Sequence, residues 1–334
     1  MEIGGKLMFV RESIQRMNSE LRRYRNLQSK NITNLNFVTG FGMKILEEGQ
    51  YFGEKNNDYT LVGEITIPED WKGQAMSLEL FTSNTESDNT TNPQMKIYLD
   101  DVLIQGIDVN HREMILPSHY LEKTTINLRI ELVSGREEKK YPLTVRLNLI
   151  DELSRQTYYD FYVALESWRA VLEEPDSCLI YERVLKKAST YLNFSSPQSE
   201  GYYEGLKKAR AILADELYRS EFSQYQPTVG VVGHTHIDIA WLWTVEQAIE
   251  KGEKSFSTVL KLMDDYPDYS FIQSQPQLYQ FIKERYPQLY QEIKKRIDEG
   301  RWEVEGAMWV EADCNLTSGE SLVRQIVYGK QFIK

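Results

Sequence analysis

The sequence predicts a multidomain chain of mixed α+β and α/β class, in which an antiparallel β-sandwich and a helical region precede the first β-α units of a parallel, barrel-like domain. With 334 residues, the chain exceeds the length of about 250 to 300 residues at which a single hydrophobic core stops growing. Hydrophobic residues make up 41% of it and aromatic residues 12%, which is sufficient for packed cores. The spacing of apolar residues changes along the chain from helix to strand, back to helix, and then to alternating strands and helices.

The first three regions are distinguished by this spacing. Residues 1–35 carry apolar residues at helical intervals among many charges, which predicts an N-terminal helical arm lying on the surface of a larger body. In residues 36–150, segments of strand length alternate between apolar and polar residues and are separated by turn-forming residues, which is typical of an antiparallel β-sandwich. Residues 151–222 return to helical spacing and predict three helices, the first two separated by Pro175.

Residues 223–334 have a different pattern, in which short apolar segments alternate with longer helical ones. We expect strands within 228–233, 269–274 and 302–309, of which the first reads as a strand buried on both faces. Gly300 is a natural end for the helix before the third strand. Three β-α units in succession predict the beginning of a parallel sheet or barrel.

Charge and composition indicate which kinds of binding partner and which cellular compartment suit the protein. The net charge of −11 disfavours binding to nucleic acid or to anionic membranes and suits a neutral substrate. No apolar run approaches the roughly 18 to 20 residues that span a bilayer, and the first residues do not resemble a signal peptide. Cys178 and Cys314 are far apart and fit ordinary thiols of a cytoplasmic protein. A homo-oligomer is compatible with this composition.

The strongest chemical signal is the run His234-Thr-His-Ile-Asp238 at the end of a predicted strand. Residues i, i+2 and i+4 of an extended chain project to one side, so His234, His236 and Asp238 can converge on one point. Imidazole and carboxylate are ligands that suit Zn²⁺, and active sites of parallel α/β folds lie at this end of the strands. The alternative is two ordinary histidines with Asp238 as a helix cap. Because two of the chain's four histidines share this face with an acid, we favour a metal site.

A second acidic segment, residues 305–315, follows another predicted strand. If both strands belong to one sheet, Asp313 can reach the region of the histidines, where its carboxylate would bind a metal or attack carbon. Glu305, Glu311 and Glu320 compete for this role, although an isolated glutamate is by default a solvated or ion-paired charge.

Tryptophans stand next to both motifs. Trp241 follows the first motif and Trp309 precedes Asp313. An aromatic face beside a polar site suits stacking on the C–H surface of a sugar, although burial in a core is the commoner position of a tryptophan. Trp241 and Trp309 are therefore candidates for substrate binding.

Three segments together resemble the start of the catalytic domain of glycoside hydrolase family 38. They are residues 231–243, 246–262 and 308–325, and they are most similar to the cytosolic and bacterial α-mannosidase branch. The resemblance covers roughly the last third of the chain. It implies one Zn²⁺ per complete active site, an α-mannoside or oligosaccharide substrate, and a retaining mechanism with a covalent glycosyl-enzyme intermediate.

The resemblance also implies individual roles. His236 and Asp238 match the first two zinc ligands, and Asp313 matches the aspartate that both binds zinc and acts as the nucleophile. Trp241 matches the aromatic residue that packs under the bound mannose. His234 matches a histidine that is not usually counted as a ligand, so we expect it to lie beside the metal site and keep it only as an alternative ligand.

The resemblance further implies a fourth zinc ligand and an acid/base aspartate, and no residue up to Lys334 matches them. We therefore expect an N-terminal fragment of such an enzyme, with little turnover by itself and with too few β-α units to close a barrel. Two other functions remain open. A metal-dependent amidohydrolase would use both His234 and His236 as ligands, whereas a carbohydrate-binding module would use the sandwich of residues 36–150.

Overall fold

Three hydrophobic cores organise the molecule: one between antiparallel sheets, one among helices, and one around a small parallel sheet. The structure is a computed structural model that describes residues 2–39, 42–45, 51–52, 57–82, 93–108, 111–134, 141–218, 229–241 and 243–334. The mixed architecture with antiparallel sheets agrees with the predicted fold class. Among the described residues, no helix combines the length and apolar character needed to cross a membrane. The boundary predicted between residues 222 and 223 lies outside the described residues.

The first core is enclosed by antiparallel strands. In chain order they are β1 (Asn26–Asn31), β2 (Asn36–Thr39), β3 (Gly42–Ile45), β4 (Tyr51–Phe52), β5 (Asp58–Thr66), β6 (Met76–Phe81), β7 (Gln94–Leu99), β8 (Val102–Ile107), β9 (Glu113–Ile115), β10 (Thr125–Val133), β11 (Tyr141–Pro142) and β12 (Thr144–Ile150). One sheet has the order β1-β12-β6-β9 and the other the order β3-β2-β5-β10-β7-β8, while β4 and β11 form a separate pair.

Alternation along the strands determines which side chains enter this core. In β10, Ile126, Leu128, Ile130 and Leu132 are all buried, because every second side chain of a strand points to the same face. Leu78 and Leu80 of the other sheet contribute to the same core. The two sheets therefore bury their apolar faces against one another, as the alternating pattern predicts.

The second core is helical. Its helices are α1 (Glu2–Arg23), α2 (Glu152–Ala170), α3 (Pro175–Ser189) and α4 (Glu200–Leu213), so the three helices predicted after the strands are present. Pro175 is the first residue of α3, a position where its missing N–H costs nothing. Within residues 1–35, Ile14 and Leu21 of α1 are buried in this core, and β1 pairs with β12. The N-terminal segment is therefore packed into both units rather than lying on their surface.

The third core surrounds a parallel sheet of order β13-β14-β15. Gly300, with φ of +71°, follows the end of the helix before the third strand, as predicted. The first strand is shorter than expected, and Val231 and Val232 are exposed rather than buried, because among the described residues β13 pairs only with β14. The elements are β13 (Gly233–His234), α5 (Val245–Asp265), β14 (Phe271–Gln273), α6 (Pro276–Arg285), α7 (Pro287–Asp298), β15 (Trp302–Val304) and α8 (Gly319–Ile333).

Helix α5 packs against the edge of the six-stranded sheet. The backbone N–H of Gly106 donates to Oγ1 of Thr258 at 3.0 Å, and a Cβ at Gly106 would lie 2.1 Å from Cγ of Lys254. Glycine is therefore required for this close approach. Helix α5 begins seven residues after the predicted metal ligand Asp238.

Candidate active site

The histidine motif leaves the sheet at the carboxyl end of β13. His234 pairs with Ile272 of β14, and residues 235–238 then follow outside any helix or strand. Ile237 is buried in the third core, whereas His236 and Asp238 on either side of it point outward. Nε2 of His236 lies 3.3 Å from Oδ1 of Asp238. The alternation expected from the sequence therefore brings these two side chains together.

His234 lies farther from this pair. Its ring centroid is 6.4 Å from that of His236, and its side chain is exposed. The two imidazoles thus share one region without being in contact. The predicted role of His234 beside the metal site stays a prediction.

The loop after Asp238 presents two tryptophans in different environments. The Trp243 indole N–H donates to the carbonyl of Asp238 at 2.9 Å, and its ring packs against the third core. Trp241 is 64% exposed and meets Trp243 edge to face at 5.2 Å. Of the two, only Trp241 leaves a broad aromatic surface available to a ligand close to the histidine motif.

Glu311, and not Asp313, lies next to His236 among the described residues. Oε2 of Glu311 is 3.2 Å from Nδ1 of His236, and its Oε1 accepts a hydrogen bond of 2.5 Å from the Ser274 hydroxyl. Gln275 accepts from the Glu311 backbone N–H at 3.2 Å and donates to the carbonyl of Ile237 at 2.8 Å. The loops after β13 and β15 are therefore tied together through the end of β14.

Asp313 is exposed and is held by the loop that follows it. Its Oδ1 accepts hydrogen bonds from the backbone N–H groups of Asn315 at 2.8 Å and Leu316 at 3.4 Å. Its carbonyl accepts from Thr317 at 3.1 Å, which closes a turn before α8. The carboxylate therefore stabilises a turn next to the segment that carries Glu311.

Trp309 contacts the helices α6 and α8. Its indole N–H donates to Gln277 at 2.8 Å, and its ring meets Phe332 of α8 edge to face at 5.6 Å. The ring borders a surface cavity together with Tyr328, Gln331 and Phe332. Packing of α6 against α8 accounts for this position, so a contact with substrate stays a prediction.

The predicted zinc ligands have suitable donor atoms, although the described residues do not assemble them into a complete site. Imidazole nitrogen and carboxylate oxygen are provided by His236, Asp238 and Asp313. Within the parts of the chain that the structure describes, no group of three or more His, Cys, Asp or Glu side chains is arranged to hold a metal ion. Nε2 of His236 lies 3.3 Å from Asp238, and its Nδ1 lies 3.2 Å from Glu311 on the other side of the ring.

Sequence reasoning did not single out two residues of this network, Ser274 and Gln275. It kept Glu311 only as a competitor of Asp313, with a solvated or ion-paired charge as the default. Ser274 and Gln275 follow a buried strand. Polar residues at the carboxyl end of a parallel strand indicate a functional site, so this pair could have been identified from the sequence. Gln275 is 2% exposed with φ of +64°, a conformation that a sequence does not reveal.

Residues 226–334 match the family model for the glycosyl hydrolases family 38 N-terminal domain. This part of the chain belongs to glycoside hydrolase family 38. The resemblance noted from the two motifs is thereby confirmed, and both motifs lie inside the matched residues.

Relatives named alpha-mannosidases extend the similarity toward the N-terminus. Alpha-mannosidase G of Dictyostelium discoideum is 48% identical over 317 residues, which cover 86% of this chain and 27% of that protein. Alpha-mannosidase 2C1 of Homo sapiens is 39% identical over 36% of this chain and 12% of its own length. An alpha-mannosidase of Saccharomyces cerevisiae is 29% identical over 54% of this chain and 17% of its own length. The chain thus spans about a quarter or less of each of these relatives.

Proposed function

We propose that this chain supplies part of the active site of a zinc-dependent retaining α-mannosidase that hydrolyses α-mannosidic bonds in oligosaccharides. The observation that carries the proposal is the pair His236 and Asp238, whose polar atoms lie 3.3 Å apart at the end of β13. The pair lies in the segment that matches the family 38 domain, and the relatives described above are named alpha-mannosidases. We keep the cytoplasm as the proposed compartment.

The spacing of this pair fits zinc. Four tetrahedral ligands with metal bonds of about 2.0 to 2.1 Å lie about 3.3 Å from one another. His236 and Asp238 would hold the metal, and the family resemblance adds Asp313 as a third ligand. Bound zinc supplies a Lewis acid that orients sugar hydroxyl groups and stabilises charge.

The residues of the chain would then act as in other retaining glycosidases. The Asp313 carboxylate attacks the anomeric carbon as the bond to the leaving oxygen breaks, and a second carboxylic acid gives that oxygen its proton. Water then attacks the same carbon and loses a proton to the second carboxylate, and Asp313 departs. Two inversions leave the sugar in its original α configuration.

Two further features follow from this assignment. The exposed ring of Trp241 would stack on the mannose and exclude water from one side of it. We assign no residue of the chain to the second carboxylic acid. The chain alone is therefore expected to show little or no turnover, and the complete polypeptide is the form in which activity is tested.

The decisive experiment compares zinc content and hydrolysis of an aryl α-mannoside in the wild-type protein and Asp238→Ala. We expect the variant to lose zinc and to lose activity by about 100-fold or more, since a metal ligand is removed. Asp268→Ala, an exposed aspartate in the turn before β14, is the matched control and should retain both. The first sugar product of the wild type, followed by NMR, should be the α anomer. Retention of both zinc and activity in Asp238→Ala would exclude the proposal.

The amidohydrolase alternative differs in its ligands. It requires His234 as well as His236, whereas under our proposal His234→Ala keeps its zinc. The match to family 38 favours the glycosidase. Loss of zinc from His234→Ala, with no α-mannosidase activity in the wild type, would favour the amidohydrolase.

A further inference from the structure

His236 is positioned between two carboxylates that face opposite edges of its ring. Nε2 lies 3.3 Å from Oδ1 of Asp238, and Nδ1 lies 3.2 Å from Oε2 of Glu311. The two ring nitrogens point away from each other, so a group beside Nδ1 cannot also bind an ion beside Nε2. Asp238 and Glu311 can therefore have different roles, because each lies beside a different ring nitrogen.

The Glu311 carboxylate is fixed by its own contacts. One oxygen accepts from the Ser274 hydroxyl at 2.5 Å, which leaves the other directed at His236. Its backbone N–H donates to Gln275 at 3.2 Å, and the buried Gln275 amide donates to the carbonyl of Ile237, the residue after His236. Glu311 is thus held beside the histidine loop in two ways: its backbone N–H is linked to that loop through Gln275, and its side chain lies next to His236.

A histidine that binds a metal does so as neutral imidazole, which carries one ring proton. If Nε2 provides the lone pair, the proton is on Nδ1 and needs an acceptor. Carboxylates commonly take this role and fix both the tautomer and the orientation of the ring. Glu311 has the position for it, while Asp238 lies on the Nε2 side, where the proposed metal would be held.

We propose that Glu311 is a positioning residue for the zinc site, which accepts the Nδ1 proton of His236 and holds Nε2 toward the metal. Ser274 orients the Glu311 carboxylate. The inference rests on the proposed zinc site and adds a residue that is neither a metal ligand nor a group that touches the substrate. Asp313, two residues later, keeps its proposed roles as metal ligand and nucleophile.

The test measures zinc affinity by competition with a chromogenic chelator in the complete polypeptide. Glu311→Ala should bind zinc about 10 to 100 times more weakly than wild type. Glu311→Gln keeps an acceptor oxygen without the charge and should recover part of the loss. Ser274→Ala should weaken binding less than Glu311→Ala. Glu305→Ala removes an exposed glutamate of the same segment, whose side chain accepts, among the described residues, a hydrogen bond from the adjacent Gly306 N–H and none from the histidine loop. This variant should bind zinc like wild type.

A spectroscopic measurement separates positioning from a general structural effect. With Co²⁺ in place of zinc, the visible spectrum of Glu311→Ala should change in position or intensity, because the imidazole reorients, while the unfolding midpoint of the metal-free protein stays that of wild type. If Glu311→Ala does not fold, Glu311→Gln decides, with an expected loss of about 3- to 10-fold.

The outcomes distinguish this inference from the proposed function. Wild-type affinity and an unchanged cobalt spectrum in Glu311→Ala and Glu311→Gln would overturn the role of Glu311 and leave the zinc site intact. Complete loss of metal in Glu311→Gln would also overturn it, since Glu311 would then be a ligand. Failure of the wild type to bind zinc would refute the zinc site and this inference together.

Discussion

Breaking the buried ion pair between Lys96 and Glu253 should destabilise the contact between the sandwich and the candidate catalytic unit. The Glu253 side chain is fully buried on α5, and Nζ of Lys96 on β7 lies 2.6 Å from its Oε2. Tyr98 donates to the other oxygen at 3.1 Å, and Glu131 lies 3.0 Å from Lys96. Burial alone would lower the pKa of Lys96, but the carboxylates of Glu253 and Glu131 outweigh it and raise the pKa, so the lysine is charged at neutral pH.

The expected magnitude follows from this geometry. At 2.6 Å and an effective dielectric constant of about 20, the attraction within the pair is about 6 kcal/mol. Desolvation of the two ions costs several kcal/mol each and offsets most of that gain. Lys96→Met removes the attraction but leaves Glu253 buried. We therefore expect the variant to lower the free energy of unfolding by about 3 to 5 kcal/mol.

The assay is urea denaturation followed by tryptophan fluorescence, with the whole transition recorded so that separate unfolding of the two units appears as a second step. Lys96→Met combined with Glu253→Gln should recover most of the loss, since neither charge is then left unpaired. Lys295→Met removes an exposed lysine that pairs with Glu292 within α7 and should cost no more than about 1 kcal/mol. A loss in Lys96→Met no larger than in this control would refute the reasoning.

Two other substitutions test the remaining contacts. Burial raises the pKa of Glu113, but Arg155, 2.7 Å away, outweighs it and lowers the pKa below its ordinary value of 4.5. This pair stabilises fully above about pH 4.5 and less as pH falls through the folded pKa, so urea denaturation of Glu113→Gln should show a deficit of about 2 to 4 kcal/mol near pH 7 that shrinks near pH 3. Trp241→Ala removes an exposed ring, so it should change the free energy of unfolding by less than about 0.5 kcal/mol. It should lower kcat/KM for hydrolysis of an aryl α-mannoside at least several-fold, because the ring no longer stacks on the sugar. Unchanged kinetics would exclude a stacking role.

The type and order of the elements could be predicted because they depend on local periodicity. Ile126, Leu128 and Ile130 alternate in the sequence and lie on one buried face of β10. Pro175 and Gly300 act at helix ends because their backbone preferences are intrinsic to the residue. Such features need no knowledge of the partner element.

Features that depend on distant partners could not be predicted in the same way. Val231 belongs to a β-branched run that suggests a buried strand, yet burial depends on which element lies beside the strand. Lys96 and Glu253 are 157 residues apart, and nothing in either local pattern identifies the other. Glu311 was one of three glutamates that competed with Asp313. The local pattern could not choose among them, because the partner of Glu311 is a histidine in the loop after another strand.

The order of the parallel strands explains why the network at the candidate site needs three loops. In the sheet, β14 separates β13 from β15, so residues leaving the two outer strands start about two strand spacings, or roughly 9 to 10 Å, apart. A contact between the His236 loop and the Glu311 loop must cross the end of β14. The left-handed backbone of Gln275 places its amide across this gap, where it bonds to both loops. The proposed metal site, shared by the loops of the outer strands, would therefore depend on a residue of the middle strand's loop that binds no metal itself.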